Sequence, residues 1–167
     1  MKHAFNLFFI MIALSFTNDG IYLKREKKSP LCGEISFTTI ASGNYSGVTK
    51  KKNITISNQK DFEKIWEECY SIQIPQPKTP QINFEKECVL IAFAGEFSSG
   101  GYKIELANIN KKRRSMNVDV INTIPGSDCN VASAMTQPFH MIKMEKKYFK
   151  KVEQMNWNLK EIFTNCE

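Results

Sequence analysis

The segment Cys88–Ala94 constrains the fold more than any other part of the chain, because all of its residues are apolar. Successive side chains of a β-strand point to opposite faces of a sheet, so a strand without polar alternation needs cover on both faces. We therefore expect Cys88–Ala94 to be the central, fully buried strand of a sheet.

One segment has the pattern of a helix that could cover such a sheet. Apolar residues from Phe62 to Tyr70 recur at i, i+3, i+4, i+7 and i+8, and Asn58 is a suitable N-terminal cap. This spacing predicts a helix near residues 58–71 whose apolar face packs on the sheet. Cys69 lies on that face, either as a buried thiol or as one half of a disulfide bridge.

The rest of the chain has the residue patterns of strands joined by short turns. The predicted strands cover residues 36–41, 48–57, 102–106, 116–122 and 139–144. The first two are expected to form an early strand pair. Gly100 and Gly101 can adopt positive φ, so the segment before Tyr102 predicts a tight hairpin turn. Apolar residues after Glu145 fit either a helix or a strand. The predicted fold class is α+β, with a mainly antiparallel sheet and one packed helix.

The N-terminal residues have the pattern of a secretory signal peptide. Met1–His3 is a short basic start, and Ala4–Phe16 is a nearly unbroken apolar run of 13 residues. A helix of that length spans about 20 Å, short of the roughly 30 Å hydrocarbon core of a membrane. An uncleaved N-terminal anchor is the alternative. We expect residues 1–15 to be a signal peptide, residues 16–33 a flexible leader and residues 34–167 one domain that is secreted, periplasmic or at the cell surface.

Five cysteines follow the apolar run, and an exported chain meets conditions in which thiols pair. The disulfide candidates are Cys32, Cys69, Cys88, Cys129 and Cys166. At least one of them stays unpaired within a monomer, and their spacing does not settle the pairing. We favour a bridge between Cys32 and Cys166, which would tie the two ends of the domain together.

The net charge of +6 does not indicate a nucleic-acid-binding protein. The lysines and arginines form four short clusters without a DNA- or RNA-binding motif, so we interpret them as solvated turns and helix faces. Attraction to an acidic partner or an anionic surface is the alternative. Only two histidines are present, His3 and His140, so a multi-histidine metal site is excluded, and no cofactor is expected.

Five short motifs, in the order in which they occur, resemble the C-terminal domain family named after the protease complex subunit PrcB. The motifs are Asp61–Trp66, Ile82–Phe84, Val89–Tyr102 with its Gly-Gly-Tyr sequence, Ile124–Cys129 and Thr136–His140. The resemblance covers residues 57–146.

The resemblance implies an exported accessory subunit that assembles with, or supports, a cell-surface serine protease. No catalytic activity is established for the family's domain itself, so we expect this protein not to be an enzyme. Family members are often lipid-anchored, but this chain has no lipidation cysteine directly after its apolar run. Membrane anchoring is therefore not expected.

The segment Phe97–Tyr102 is the sharpest candidate for contact with a partner protein. Its glycines let a partner approach the backbone, and Tyr102 offers apolar area with a hydroxyl group at its tip. The alternative is a structural turn with Tyr102 facing the core. The Pro125–Cys129 loop and Pro138–Phe139 are expected at the same end of the sheet. The predicted partner-binding residues are Phe97, Ser98, Ser99, Gly100, Gly101, Tyr102, Pro125, Gly126, Pro138 and Phe139.

Two further hypotheses stay open beside the accessory subunit. One is a protease inhibitor that acts through exposed loops. The other is a thiol-dependent enzyme in which Cys129 or Ser127 pairs with His140. His140 shares its side of the predicted strand with Ile142 and Met144, which favours a packed histidine, and no catalytic motif accompanies it. No catalytic residue is therefore assigned.

Overall fold

Seven strands and one α-helix form three layers in residues 33–165, the part of the chain that this computed structural model describes. The elements are β1 Thr38–Gly43, β2 Lys52–Ile56, α1 Gln59–Cys69, β3 Glu87–Phe93, β4 Lys103–Lys112, β5 Ser115–Pro125, β6 Phe139–Glu145, a 3₁₀ helix Lys146–Phe149, and β7 Gln154–Thr164. A four-stranded sheet has the order β1-β6-β3-β2, and a three-stranded sheet has the order β4-β5-β7. The α+β class with mainly antiparallel pairing is confirmed.

Strand β3 is the central strand that its apolar sequence predicts, with β6 on one side and β2 on the other. Val89, Ile91 and Phe93 pack with α1, whereas Leu90 and Ala92 pack with the three-stranded sheet. All five side chains are fully buried. The four-stranded sheet is therefore the middle layer, and it needs apolar residues on both faces because it has a neighbour on each.

Helix α1 forms where the sequence predicts it. The Asn58 side chain accepts a hydrogen bond from the Asp61 backbone N–H at 2.9 Å, which satisfies one of the free donors of the first turn. Phe62, Ile65, Trp66 and Cys69 are buried against the middle layer. Burial of each large side chain contributes roughly 1.5–3 kcal/mol to the stability of this packing.

The prediction that the first two strands pair with each other is wrong. β1 and β2 do not pair with each other, because β6 and β3 lie between them and β1 pairs with β6 alone. The physical reason is burial. β3 and β6 are apolar on both faces and take the two central positions, whereas β1 and β2 carry polar residues and lie at the edges.

The predicted hairpin at Gly100 and Gly101 is also wrong. β3 and β4 belong to different sheets, so residues 94–102 carry the chain from the middle layer to the outer sheet. Gly101 has φ +86°, the backbone geometry for which glycine was expected, but it serves a crossover between sheets.

The C-terminal segment is a strand, β7, and it runs parallel to β5. The connection after β6 returns the chain to the starting end of β5, where the Glu153 backbone N–H donates to the Arg114 carbonyl at 2.8 Å. A chain that re-enters at the same end of its neighbour pairs with it in parallel. No helix within residues 33–165 is long and apolar enough to cross a membrane.

Cys69 and Cys88 are buried free thiols and do not form the disulfides for which the sequence made them candidates. Cys69 faces the layer between α1 and the middle sheet, and Cys88 faces the layer between the two sheets. Burial raises the pKa of each thiol to about 12, which keeps both protonated and unreactive. Cys32 and Cys166 lie outside the described residues, as do the predicted signal peptide and the leader up to residue 32, so their bridge stays a prediction.

Candidate functional site

The three segments that the sequence proposes for partner contact meet at one end of the molecule. Phe97 and Thr136 exchange two backbone hydrogen bonds of 2.9 Å. The Gly100 backbone N–H donates to the Ala132 carbonyl at 2.8 Å. A Cβ atom added to Gly101 would lie only 2.9 Å from the Pro125 Cβ, so these two segments are in close contact and Gly101 has no room for a side chain. We call Phe97–Tyr102 with Pro125 and Gly126 the rim.

Pro138 and Phe139 are buried and cannot offer their side chains to a partner. Phe139 is only 2% exposed and packs edge-on against Tyr70 in the layer under α1. The Pro138 carbonyl accepts a hydrogen bond from the Ala94 backbone N–H at 2.9 Å. This pair therefore supports the rim from beneath, and the accessible part of the predicted surface is the rim itself.

Phe97 and Tyr102 form a flat aromatic wall on the rim. Their ring centroids lie 3.9 Å apart with an interplanar angle of 8°, and both side chains are half-buried. Tyr102 therefore neither points freely into solvent nor inserts fully into the core. The stack holds both ends of the crossover from β3 to β4 together.

A cavity of about 190 Å³ opens beside the aromatic wall, and we call it the rim pocket. The residues that line it include Lys51, Phe97, Tyr102, Lys103, Asn122 and Glu161. They come from the residue before β2, the crossover, β4, β5 and β7. The pocket therefore exists only when the two sheets are packed together.

Asn122 is the most unusual residue of the rim pocket. Its side chain is 8% exposed, and its Oδ1 atom has no hydrogen-bond partner within residues 33–165. An unsatisfied buried polar atom costs about 1–3 kcal/mol, so such atoms are few in folded proteins. The Oδ1 atom of Asn53 on β2 is also buried without a hydrogen-bond partner in the described residues, but Asn53 does not line the pocket.

Sequence reasoning missed Asn122, although a signal was present. Met116, Val118 and Val120 precede it at alternate positions of β5 and are all fully buried. Asn122 continues this apolar face as its only polar member within that run. A polar residue on the buried face of a strand is a signal that can be seen in the sequence, because burying an amide without a hydrogen bond costs free energy.

The charged residues at the pocket mouth have no ion-pair partners within the described part of the chain. Five ion pairs are present there, and none includes Lys51, Lys103 or Glu161. All three side chains are exposed. The residues that line this small cavity therefore include two positive charges and one negative charge that form no ion pair within the described residues.

His140 links the two sheets and does not pair with Cys129. Its Nδ1 atom accepts a hydrogen bond from the Leu106 backbone N–H at 2.9 Å, which places the ring proton on Nε2. Nε2 then donates to Thr39 Oγ1 at 3.0 Å. Burial lowers the pKa of His140, so the ring is neutral at physiological pH. With both nitrogens engaged in this way, the nucleophile and base pair of the thiol-enzyme hypothesis is not formed.

A second polar cluster lies on the outer face of the three-stranded sheet. Asp119 on β5 accepts hydrogen bonds from Asn108 at 2.9 Å, from Asn158 at 3.4 Å and from Lys160 at 2.6 Å. Burial of Asp119 by itself would raise its pKa, but these hydrogen bonds outweigh burial and lower it. The cluster holds β7 and β4 to β5, and it has a structural role.

The described residues contain no group of three or more histidine, cysteine, aspartate or glutamate side chains that could hold a metal ion. A larger open cleft of about 900 Å³ lies at the far end of the middle layer, between Asn83 and Lys150. Its lysines and glutamates largely alternate and partly neutralise one another, as the Lys147–Glu145 pair at 2.6 Å does. The rim pocket differs from this cleft in containing a buried amide oxygen without a partner in the described residues, which makes it the better candidate.

Comparison with known proteins agrees with the motifs in the sequence. No curated protein and no solved structure matches the chain. The family model described as PrcB C-terminal matches residues 88–145, which run from β3 through β6 and include the whole rim. Helix α1 lies outside the match, which is shorter than the 57–146 that the motifs suggested. Residues 88–145 are thus similar to the PrcB C-terminal family, and the rest of the chain lies outside the match.

Proposed function

We propose that this protein is an exported accessory subunit, without catalytic activity of its own, that binds a protease through the rim. The observation that carries the proposal is the convergence of the rim segments beside a pocket that Phe97 and Tyr102 line and that contains an unsatisfied amide. The family match supports a protease complex as the setting. Export rests on the pattern of residues 1–15.

The form of the rim suits contact with a second polypeptide. Ser98 and Gly101 are exposed, and the flanking rim residues are half-buried. Backbone hydrogen bonds and the Phe97–Tyr102 stack hold this surface in one conformation. A preformed surface loses little conformational entropy on binding, so more of its contact energy remains as affinity.

Capture of the tagged full chain from its native host, with a matched pair of variants, tests this proposal. Ser98→Arg places a bulky charge on the rim, and Ser57→Arg places the same change on an exposed serine at the opposite end of β3. We expect a protease to be recovered with the wild type and with Ser57→Arg, and at least tenfold less of it with Ser98→Arg. Equal recovery with both variants would remove the rim from the interface.

The same material separates the accessory subunit from the inhibitor. An accessory subunit raises the yield of mature protease on co-expression and leaves the purified protease active. Dose-dependent loss of protease activity on addition of this protein would show an inhibitor instead. The enzyme hypothesis is weakened by the two hydrogen bonds that occupy His140.

A further inference from the structure

We infer that the rim pocket recognises one acidic residue in an extended segment of the partner, with Asn122 pairing with its peptide group and Lys51 and Lys103 attracting its carboxylate. The inference rests on the proposed function and adds to it the chemistry that the rim selects.

The size of the pocket points to a side chain of a larger partner. Its volume is about 190 Å³. Pockets for drug-sized ligands measure roughly 300–1,000 Å³, so this cavity holds one residue of a polypeptide whose remaining contacts lie on the surrounding rim.

The Asn122 amide points to a peptide group as its partner. An amide carries both an acceptor and a donor, and a peptide group offers the complementary pair in either orientation. In the free protein the buried Oδ1 atom has no donor within residues 33–165. A peptide N–H that reaches Oδ1, after the Asn122 side chain turns towards the cavity, would remove this cost, so the gain on binding includes energy that the free protein lacks.

The charges at the mouth favour an acidic residue. Lys51 and Lys103 have no ion-pair partner within the described chain, and Glu161 supplies one negative charge, which leaves the mouth with a net charge of +1. A carboxylate gains attraction from two lysines, whereas a basic residue is repelled by them. Glu161 repels the carboxylate, so the net attraction is weaker than two lysines alone would give.

Apolar surface beside the pocket favours apolar residues next to the acidic residue in the partner's segment. Phe163 lies two positions after Glu161 on the same face of β7 and is 65% exposed. The Phe97–Tyr102 wall lines the pocket itself. Apolar residues next to the acid can therefore bury surface on either side of it.

Titration of the ¹⁵N-labelled full chain with acetyl-Gly-Leu-Glu-Leu-Gly-amide, followed by NMR, tests the inference. The side-chain NH₂ signals of Asn122 should shift and saturate, while those of Asn117 and Asn156, on the opposite face of the three-stranded sheet, should stay in place. The peptide with glutamine should bind about fivefold more weakly, since exposed ion pairs are each worth less than ~1 kcal/mol. The peptide with lysine should not shift the Asn122 signals.

Two outcomes would overturn the inference: no shift of the Asn122 signals at about 5 mM peptide, or a lysine peptide that binds as tightly as the glutamate peptide. Asn122→Leu replaces the amide by an apolar side chain, and the backbone N–H signals of Tyr102 and Glu161, which shift on binding to the wild type, should then stay in place. The protease capture experiment tests the proposed function independently of this titration. Protease capture that survives Ser98→Arg, together with a positive titration, would leave the pocket chemistry intact and move the protease interface elsewhere.

Discussion

Replacement of Asn122 by leucine should stabilise the protein while it abolishes peptide binding. The substitution removes a buried oxygen that has no partner in the described chain, which is worth about 1–3 kcal/mol. Leucine also extends the apolar face that ends at Val120 and contacts the neighbouring Ile104. Its extra volume has the adjoining cavity to occupy, so the cost of overpacking is small. We expect a net gain of about 1–2 kcal/mol in the free energy of unfolding.

Urea denaturation followed by circular dichroism measures this gain. With a slope of about 1–3 kcal/mol per molar urea, the midpoint should rise by roughly 0.5–1 M. Asn117→Leu is the matched control, because it places the same change on the same strand. Asn117 donates to Asn110 and accepts from Asn156, so its loss should lower the midpoint.

A lowered midpoint for Asn122→Leu would refute the reasoning, provided that Asn122→Ala lowers it as well. Alanine removes the amide without adding volume, so the alanine variant separates a lost hydrogen bond from overpacking. Destabilisation by both variants, with the alanine variant losing clearly more than the roughly 1 kcal/mol expected from its smaller volume, would mean that the amide is already satisfied in the free protein. The Asn122 amide would then not be reserved for a ligand.

Three further predictions concern the framework of the fold. His140 has a folded-state pKa below its ordinary 6.5, so the unfolded chain binds the proton more readily. The free energy of unfolding should therefore fall as the pH drops below 6.5, and the urea midpoint at about pH 5 should be lower than at pH 7.5. A His140→Gln variant should lack this change. Asp119→Asn removes a carboxylate that accepts three hydrogen bonds and should cost about 1–3 kcal/mol at neutral pH in the same assay, whereas a cost near zero would contradict the role of the cluster. Cys129 Sγ lies 3.6 Å from the carbonyl oxygen of Thr164, which is two residues before Cys166. Non-reducing peptide mapping should therefore find Cys129 linked to Cys166. A bridge from Cys129 to any other cysteine would contradict this prediction.

The predicted link between Cys129 and Cys166 competes with the predicted bridge between Cys32 and Cys166, because Cys166 can form only one disulfide. Glu34, two residues after Cys32, pairs with Asn110 near the β4–β5 turn. Thr164 lies beside Pro125, at the other end of β5. A strand of this length spans more than 20 Å at about 3.3 Å per residue, whereas a disulfide joins Cα atoms less than about 7 Å apart. Glu34 and Thr164 therefore lie near opposite ends of the same sheet, which favours Cys129 over Cys32 as the partner of Cys166.

Local patterns were sufficient for much of this fold. The apolar run Cys88–Ala94 predicted a central strand, because a strand with two apolar faces has no stable position at a solvated surface. The spacing from Phe62 to Tyr70 and the Asn58 cap predicted α1, because helix period and capping depend on neighbours within one or two turns. The ordered motifs indicated the similarity to the PrcB C-terminal family without any knowledge of strand order.

Strand partners and the site depended on contacts between distant residues. Whether β1 meets β2 or β6 is decided by which strands bury both faces, and this competition involves the whole sheet. Residues of the C-terminal segment such as Trp157 and Leu159 alternate as a strand only because β5 offers an edge beside them. In the sequence, Asn122 occupies the next alternate position of β5 after the buried residues Met116, Val118 and Val120. It becomes a candidate ligand-binding group only when the packed sheets enclose its amide and leave a cavity beside it, since burial without a partner is a property of tertiary structure.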